Sequence, residues 1–281
     1  MIEFTKAHGN GNDFIVLENL DGSRSSEELS RLARLLCRRK FSIGADGILV
    51  VEKAESADFT MRIFNADGSE GEMCGNGARV MARYAFEKKL AGQAQSFMTL
   101  AGRIKAQVEP PYAELDMGEL ELASGIFGQS LKVQNIEFPF VFVTVGVPHC
   151  VLFTEDYDGF DVSQKIVLGR ELAHDSRFPG GCNVSFAQAL HENMIRAVTY
   201  ERGVEDLTES CGTGSVAVAI AMAAIGRCTS SDTISMRIQN PGGINEVRLL
   251  FAPDNRSCHA WLKGKTALVS KGRILEDSLS S

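Results

Sequence analysis

The chain writes the same helix start twice. Cys74 opens the run CGNGARVMARYA and Cys211 opens CGTGSVAVAIAMA, so a thiol, a Gly-x-Gly and a train of small apolar residues recur in one frame. A run that is apolar nearly all round belongs inside a core and not on a surface. Two such runs call for two cores, and 281 residues with 44% hydrophobic content are enough for two domains of ordinary size.

The frame also has chemical content. A sulfur placed just before a helix meets unpaired backbone N–H groups and the positive end of the helix dipole, which favour thiolate over thiol. The glycines are expected to let a ligand approach the backbone. The upstream spacing repeats as well, with Asn65 nine residues before Cys74 and Arg202 nine before Cys211. If the halves are related by a pseudo-twofold axis, the two thiols face each other across a cleft. Either cysteine alone reads more plainly as a packed thiol beside a turn, and it is the matched pair that argues for chemistry. No C-x-x-C or H-x-x-x-H spacing occurs, so no metal is expected.

The balance of 29 basic and 36 acidic residues gives a net charge of −7 without a basic block, which argues against a nucleic-acid surface. The start MIEFTKAHGNGNDF lacks the basic and apolar regions of a signal peptide, and no stretch reaches the ~18–20 apolar residues of a membrane span. A soluble, cytoplasmic protein without a membrane partner is the expectation. Seven cysteines, an odd number, fit a reducing compartment. Cys37, Cys150, Cys182, Cys228 and Cys258 sit in apolar patterns and are expected to pack.

Alternation predicts a hairpin over Ile2–His8 and Asp13–Leu17, then a helix capped by a Ser25/Glu28 box and running to Arg39. Strands follow at Ile48–Glu52 and Asp58–Asn65, then the Cys74 helix towards Lys89, then strands near Ser96–Leu100, Arg103–Glu109 and Ala113–Met117. The stretch from Met117 to about Val133 is weakly patterned and reads as the crossing between domains. The order then repeats: a strand at Phe140–Val147, a helix at Ser163–Ala173, strands at Asn183–Ala189 and Asn193–Glu201, and the Cys211 helix ending near Gly226. Strands near Thr233–Ile238, Glu246–Phe251 and His259–Lys263 close that half, and Ala267–Ile274 is placed to return to the first. The fold class is therefore α/β (α+β), with one domain over 1–118 joined by 266–281 and a second over 119–265.

Polar residues gather around the two helix starts: Asn12, Asn65, Asn76, Asn183, Glu201 and Arg202, with His149 after Pro148. Amides offer donors and acceptors together, which suits a zwitterionic amino acid as substrate. Arg202 is suited to a bidentate bond to a carboxylate, and the N–H groups of Gly75, Asn76, Gly212 and Thr213 to holding another. Each has a plainer reading: Asn12 and Asn65 as turn caps, Arg202 paired with Glu205, His149 as a satisfied core histidine. Two opposed thiols suit a reaction that removes a proton from one face of a carbon and returns one to the other. Fixed N–H dipoles in a water-excluded cleft would stabilise the carbanion without metal, flavin or pyridoxal phosphate.

The motifs HGNGNDF, IGADG at Ile43–Gly47, FNADGSE at Phe64–Glu70, MCGNGAR, GVPHC at Gly146–Cys150, YERGVEDLTESCGTG at Tyr200–Gly214 and NPGG at Asn240–Gly243 together resemble the diaminopimelate epimerase family over nearly the whole chain. These are cofactor-independent two-thiol enzymes of lysine and peptidoglycan biosynthesis. The resemblance implies that Cys74 and Cys211 are the acid/base pair and that His149 and Glu201 support them. It also implies that Gly75, Asn76, Gly212 and Thr213 hold the carboxylate at the reacting centre, and that Asn12, Asn65, Asn183, Glu201 and Arg202 bind the rest of the substrate. It implies two pseudo-symmetric domains, each a curled mixed sheet around a central helix, with the active site in the cleft between them.

Three positions depart from the family pattern as best known. Gly47 and Val147 each stand where an amide is common, and Ser270 stands where some members carry an aromatic residue that supports a homodimer. The alternatives are a racemase of another amino acid on the same scaffold, or a redox-sensing protein whose Cys74 and Cys211 join in a disulfide.

Overall fold

The computed structural model describes residues 2–191, 193–227 and 233–279. It divides into two compact units, Met1–Asp116 with Gly264–Ser281, and Met117–Lys263.

In the first unit the hairpin β1 (Ile2–Gly9) and β2 (Asn12–Glu18) turns at Asn10 and Gly11, both at positive φ. Helix α1 (Ser26–Leu36) begins where the Ser25 hydroxyl accepts the Glu28 N–H and buries Leu29, Leu32, Ala33 and Leu36 on one face. It stops at Leu36, short of Arg39, because Gly44 N–H and Ala45 N–H take the carbonyls of Leu36 and Cys37. The helix returns the chain to β3 (Gly47–Glu52), parallel to β2, and β3 then pairs antiparallel with β4 (Phe59–Asn65). Interior residues of β2 and β3 form near-continuous apolar runs, as expected of parallel strands covered on both faces. After the short β5 (Glu70–Gly71) comes α2 (Gly75–Glu87), which crosses over to β6 (Ala94–Thr99), parallel to β4. Strands β7 (Gly102–Glu109) and β8 (Tyr112–Glu121) extend the sheet antiparallel.

The second unit repeats this plan. Hairpin β9 (Ile126–Val133) and β10 (Ile136–Val145) continues through Gly146, at φ 69°, into β11 (Val147–Phe153). Helix α3 (Val162–Ala173), capped reciprocally by Asp161 and Gln164, leads to β12 (Asn183–His191), parallel to β11. Strand β13 (Met194–Glu201) is antiparallel to β12 and carries the short β14 (Asp206–Thr208). Helix α4 (Gly212–Met222) crosses to β15 (Ile234–Asn240), parallel to β13, and β16 (Gly243–Phe251) is antiparallel to β15. From β1–β2 to β6–β7, and from β10–β11 to β15–β16, the two units thus have the same pairings in the same order.

Both cysteine helices are central to their units. Ten of the eleven residues of α4 are buried, and Val216, Val218, Ile220 and Met222 join the core formed by Val141, Val151, Ile195, Ile238 and Leu249. A fully buried side chain of this size is worth about 1.5–3 kcal/mol, so these helices are held by their sheets and not by propensity.

Three expectations are corrected. Met117–Val133 begins where the two units divide, as expected of a crossing, but it is regular: it holds the end of β8 followed by β9. Half of β9 is exposed, with Gly128, Gln129 and Ser130 in a row, so it shows little alternation, and its ladder to β10 holds it. Phe140–Val147 is not one strand, since a lone glycine turns it before Val147 starts β11. His259–Lys263 and Ala267–Ile274 are parts of one strand, β17 (Ser257–Ile274), whose last part pairs with β1. Cys37, Cys150, Cys182 and Cys258 are buried and unbridged, and Cys228 lies outside the described residues. No described helix is long and apolar enough to cross a membrane.

Candidate active site

In the first unit the chain leaves β4 at Asn65, turns, and reaches Cys74 as the extended residue that caps α2. The Gly77 N–H points to the Cys74 sulfur at 3.5 Å, the position in which a Ser or Asp side chain would cap a helix. The first intrahelical bond runs from Ala78 N to Cys74 O at 2.8 Å, so Gly75 and Asn76 supply the first-turn donors. Asn12 Oδ1 accepts from Asn76 Nδ2 at 3.3 Å and from the Cys74 thiol at 3.6 Å, while Asn12 Nδ2 donates to Asp46 Oδ2 at 2.7 Å. Arg39 bridges Asp46 and Asp13 and fixes that carboxylate. Asn65 is exposed, and its Nδ2 donates to Ser69 Oγ at 3.0 Å.

In the second unit Cys211 caps α4 in the same way, accepting the Gly214 N–H at 3.3 Å, and Ser215 N bonds to Cys211 O at 3.0 Å. Thr213 Oγ1 stands 3.5 Å from the Cys211 sulfur and 3.0 Å from His149 Nε2, so one hydroxyl joins thiol and imidazole. His149 is fully buried, which pulls it down to about 3 and keeps it neutral, and its Nδ1 has no partner among the described residues. Burial pushes the Cys211 thiol well above its usual range, and the charge of Glu201 pushes it further. Burial also raises Glu201, whose Oε1 accepts from Thr208 Oγ1 at 2.6 Å. Beneath the helix start, Ser215 Oγ donates to Cys211 O at 2.9 Å and is itself held by Asn240 and Asn245.

The second glycine of each Gly-x-Gly serves packing. A Cβ on Gly77 would meet Leu49 Cδ2 at 3.0 Å, and one on Gly214 would meet Thr199 Oγ1 at 2.8 Å. These residues let the helices sit against their sheets. Arg202 is exposed, and its guanidinium donates to the carbonyls of Gly180 and Gly181 instead of pairing with Glu205. Its backbone N–H bonds to Asn183 Oδ1 at 2.9 Å, and this bond orients the buried Asn183.

Strand register also corrects the repeat. Phe14 lies beside Gly47 across β2–β3, and His149 lies beside Asn183 across β11–β12. Asn65 ends β4 and Glu201 ends β13, so Glu201 and not Arg202 is the counterpart of Asn65. The intervening turn is one residue longer in the second unit, which is why equal spacing pointed to Arg202. By the same matching Asn12 corresponds to Val147, each the first residue of its strand, and Gly47 corresponds to Asn183. The cysteine frames match, yet most of the flanking polar positions are occupied in only one unit. Sequence reading missed Asp46, Arg39, the Ser215–Asn240–Asn245 support and the buried Arg79. IGADG, NPGG and CGNGAR carry Asp46, Asn240 and Arg79 in plain view, but no periodicity marks a polar side chain that points inward. Among the described residues no cluster of three or more His, Cys, Asp or Glu is placed to hold a metal.

The family model described as diaminopimelate epimerase matches residues 4–123 and 141–254. A diaminopimelate epimerase of Methanothrix thermoacetophila is 39% identical, covering 100% of this chain and 98% of its own. One of Archaeoglobus fulgidus is 38% identical over 88% of this chain and 89% of its own, and one of Desulfitobacterium hafniense is 36% identical over 99% and 100%. Among solved structures, a PhzF-family phenazine biosynthesis protein of Bacillus anthracis superposes with a TM-score of 0.76 at 13% identity, covering 98% of this chain and 99% of that one. A probable proline racemase of Agrobacterium radiobacter gives 0.68 at 16%, covering 98% and 93%. Those two likenesses concern the fold alone.

Proposed function

The chain belongs to the diaminopimelate epimerase family and is an isomerase, and from that premise we propose that Cys74 and Cys211 are the acid/base pair with which it interconverts LL- and meso-2,6-diaminopimelate. The observation that carries this is the duplicated cap: in each unit a cysteine sulfur occupies the N-cap of a buried helix.

In the proposed reaction one sulfur, as thiolate, takes the α-proton. The electron pair left on carbon delocalises into the adjacent carboxylate, and the other sulfur, as thiol, gives a proton to the opposite face. In the reverse direction the two exchange roles. The N–H groups of Gly75, Asn76, Gly212 and Thr213 are suited to that carboxylate, and preorganised donors of this kind are worth about 10²–10³ each in rate. Neutral His149 holds Thr213, which in turn orients the Cys211 sulfur. Asn12, Asn65, Asn183, Glu201 and Arg202 remain the candidates for the rest of the substrate, with Arg202 acting through Asn183 as well. The scheme uses no metal or cofactor.

Incubation of reduced protein with LL-diaminopimelate in D₂O tests the reading. Deuterium at the α-carbon together with approach to the LL/meso equilibrium is the expected result, and no exchange would sink it. A racemase of another amino acid is the second reading, favoured by Val147 standing at the place that Asn12 holds in the first unit. A panel of amino acids followed by loss of optical activity separates the two.

A further inference from the structure

Arg79 lies in α2 at a place after its cysteine where α4 carries Val216. Its side chain is 0% exposed. Nη2 donates to Asn76 Oδ1 at 2.6 Å, and Nε and Nη1 have no hydrogen-bond partner among the described residues. The guanidinium rests against the backbone of Gly264, where a Cβ would come within 2.7 Å of Nε.

The charged groups on the strands around α2 are engaged elsewhere. Asp13 is held by Lys6 and Arg39, Glu18 by Tyr84 and Lys88, and Glu52 and Glu70 by Arg62. His8 on β1 takes the Gly11 N–H, and Arg103, Lys105 and Glu109 on β7 are exposed. Side chains join Arg79 to the Cys74 sulfur: Asn76, which takes the Arg79 bond, donates to Asn12 Oδ1 at 3.3 Å, and the same oxygen accepts the Cys74 thiol at 3.6 Å; a negative charge on that sulfur would hold the guanidinium up against burial. Burial draws the guanidinium down to about 10, so it stays charged at neutral pH. A buried cation without a counter-ion is strongly disfavoured, and a cation near a thiol favours the thiolate.

We propose that Arg79 is a positioning residue for Cys74: its guanidinium, fixed by Asn76 and seated on Gly264, supplies the positive charge that holds the Cys74 sulfur as the thiolate base. Among the described residues no such cation acts on Cys211, which has Glu201 instead, so the two thiols rest in opposite protonation states. The free enzyme is thereby set for the direction in which Cys74 abstracts and Cys211 donates. Both states of Cys74 have a partner, since the thiol donates to Asn12 Oδ1 and the thiolate accepts from Gly77. This rests on Cys74 belonging to the acid/base pair, but its test reads the sulfur itself.

The experiment is alkylation by iodoacetamide as a function of pH, followed cysteine by cysteine by mass spectrometry, in the wild type, Arg79→Met and Arg79→Lys. Cys74 is partly exposed and so open to the reagent. The wild-type Cys74 midpoint is expected at least about one pH unit below the ordinary cysteine value of about 8.5, with Cys211 reacting only at higher pH. Arg79→Met should move the Cys74 midpoint up by about one unit or more, some tenfold less thiolate at neutral pH, and Arg79→Lys should restore most of it. The acid limb of kcat/KM should move with it. A purely structural role would lower Tm and leave the midpoint in place, and that result overturns the proposal. So does a wild-type midpoint at or above about 8.5, which decides the matter even if Arg79→Met does not fold. A low Cys74 midpoint in a protein that fails to turn over diaminopimelate would sink the substrate reading and leave this one standing.

Discussion

Gly264 and Arg79 occupy one space: a Cβ on Gly264 would stand 2.7 Å from Arg79 Nε and 2.8 Å from Cζ. Gly264→Ala therefore presses on a buried guanidinium that is tied to Asn76. The expected cost is about 1–3 kcal/mol, typical of overpacking, read as a lower Tm, together with a higher alkylation midpoint at Cys74 because the charge moves. An unchanged Tm and midpoint would show that the guanidinium has slack.

The two cap positions allow chemistry and stability to be separated. Serine is itself a favoured N-cap, so Cys74→Ser and Cys211→Ser keep an acceptor for the Gly77 and Gly214 N–H groups. A hydroxyl is nevertheless a far weaker base. Each Ser variant should melt close to the wild type while losing about 10³-fold or more of epimerase activity. Cys→Ala should lose as much activity and also about 0.5–2 kcal/mol of stability from the missing cap. Retained racemisation in either Ala variant would refute the two-thiol scheme.

Glu201 and Cys211 repel when both are ionised, and burial already holds the thiol high. Glu201→Gln removes the charge and keeps an oxygen for Thr208. The alkylation midpoint of Cys211 should fall while that of Cys74 stays fixed. A Cys211 midpoint that does not move would mean that burial alone sets it.

His149 makes stability depend on pH. Its folded value is lowered to about 3 from an ordinary value of about 6.5. Below about 6.5 the unfolded chain takes up a proton that the folded chain refuses, so stability is fully present above that pH and is lost as pH falls towards 3. Thermal melts between pH 7 and 5, above the main carboxylate range, should show Tm falling with pH. His149→Gln should flatten that slope, and an equal slope in both proteins would place the sensitivity elsewhere.

The cysteine helices were legible because a thiol and a Gly-x-Gly followed by a largely apolar run have few other places to go, and the parallel strands because their apolar runs are unbroken. What stayed hidden depends on the ladder. Val147 reads as the end of a strand until Gly146 turns it into the start of the next, and only then does it match Asn12. Counting residues back from Cys211 lands on Arg202, and register moves the match to Glu201. Arg79 was invisible for a different reason: an arginine in a helix is normally assigned to its exposed face, and nothing in CGNGAR tells that Gly264 makes room for it.

That matching yields a last prediction, because the two missing amides are not equivalent. At Gly47 a Cβ would stand 2.6 Å from the Phe64 carbonyl oxygen, a backbone atom that cannot swing away. Gly47→Ala should therefore cost about 1–3 kcal/mol. Val147 is 38% exposed at the first position of β11. Val147→Asn should cost no more than about 0.5 kcal/mol, and it gives the second unit the side chain that the first has in Asn12. If that position helps to select the substrate, Val147→Asn will change KM for diaminopimelate relative to other amino acids while its Tm stays put. An unchanged KM ratio would remove Val147 from the specificity argument and with it the main reason to search beyond diaminopimelate.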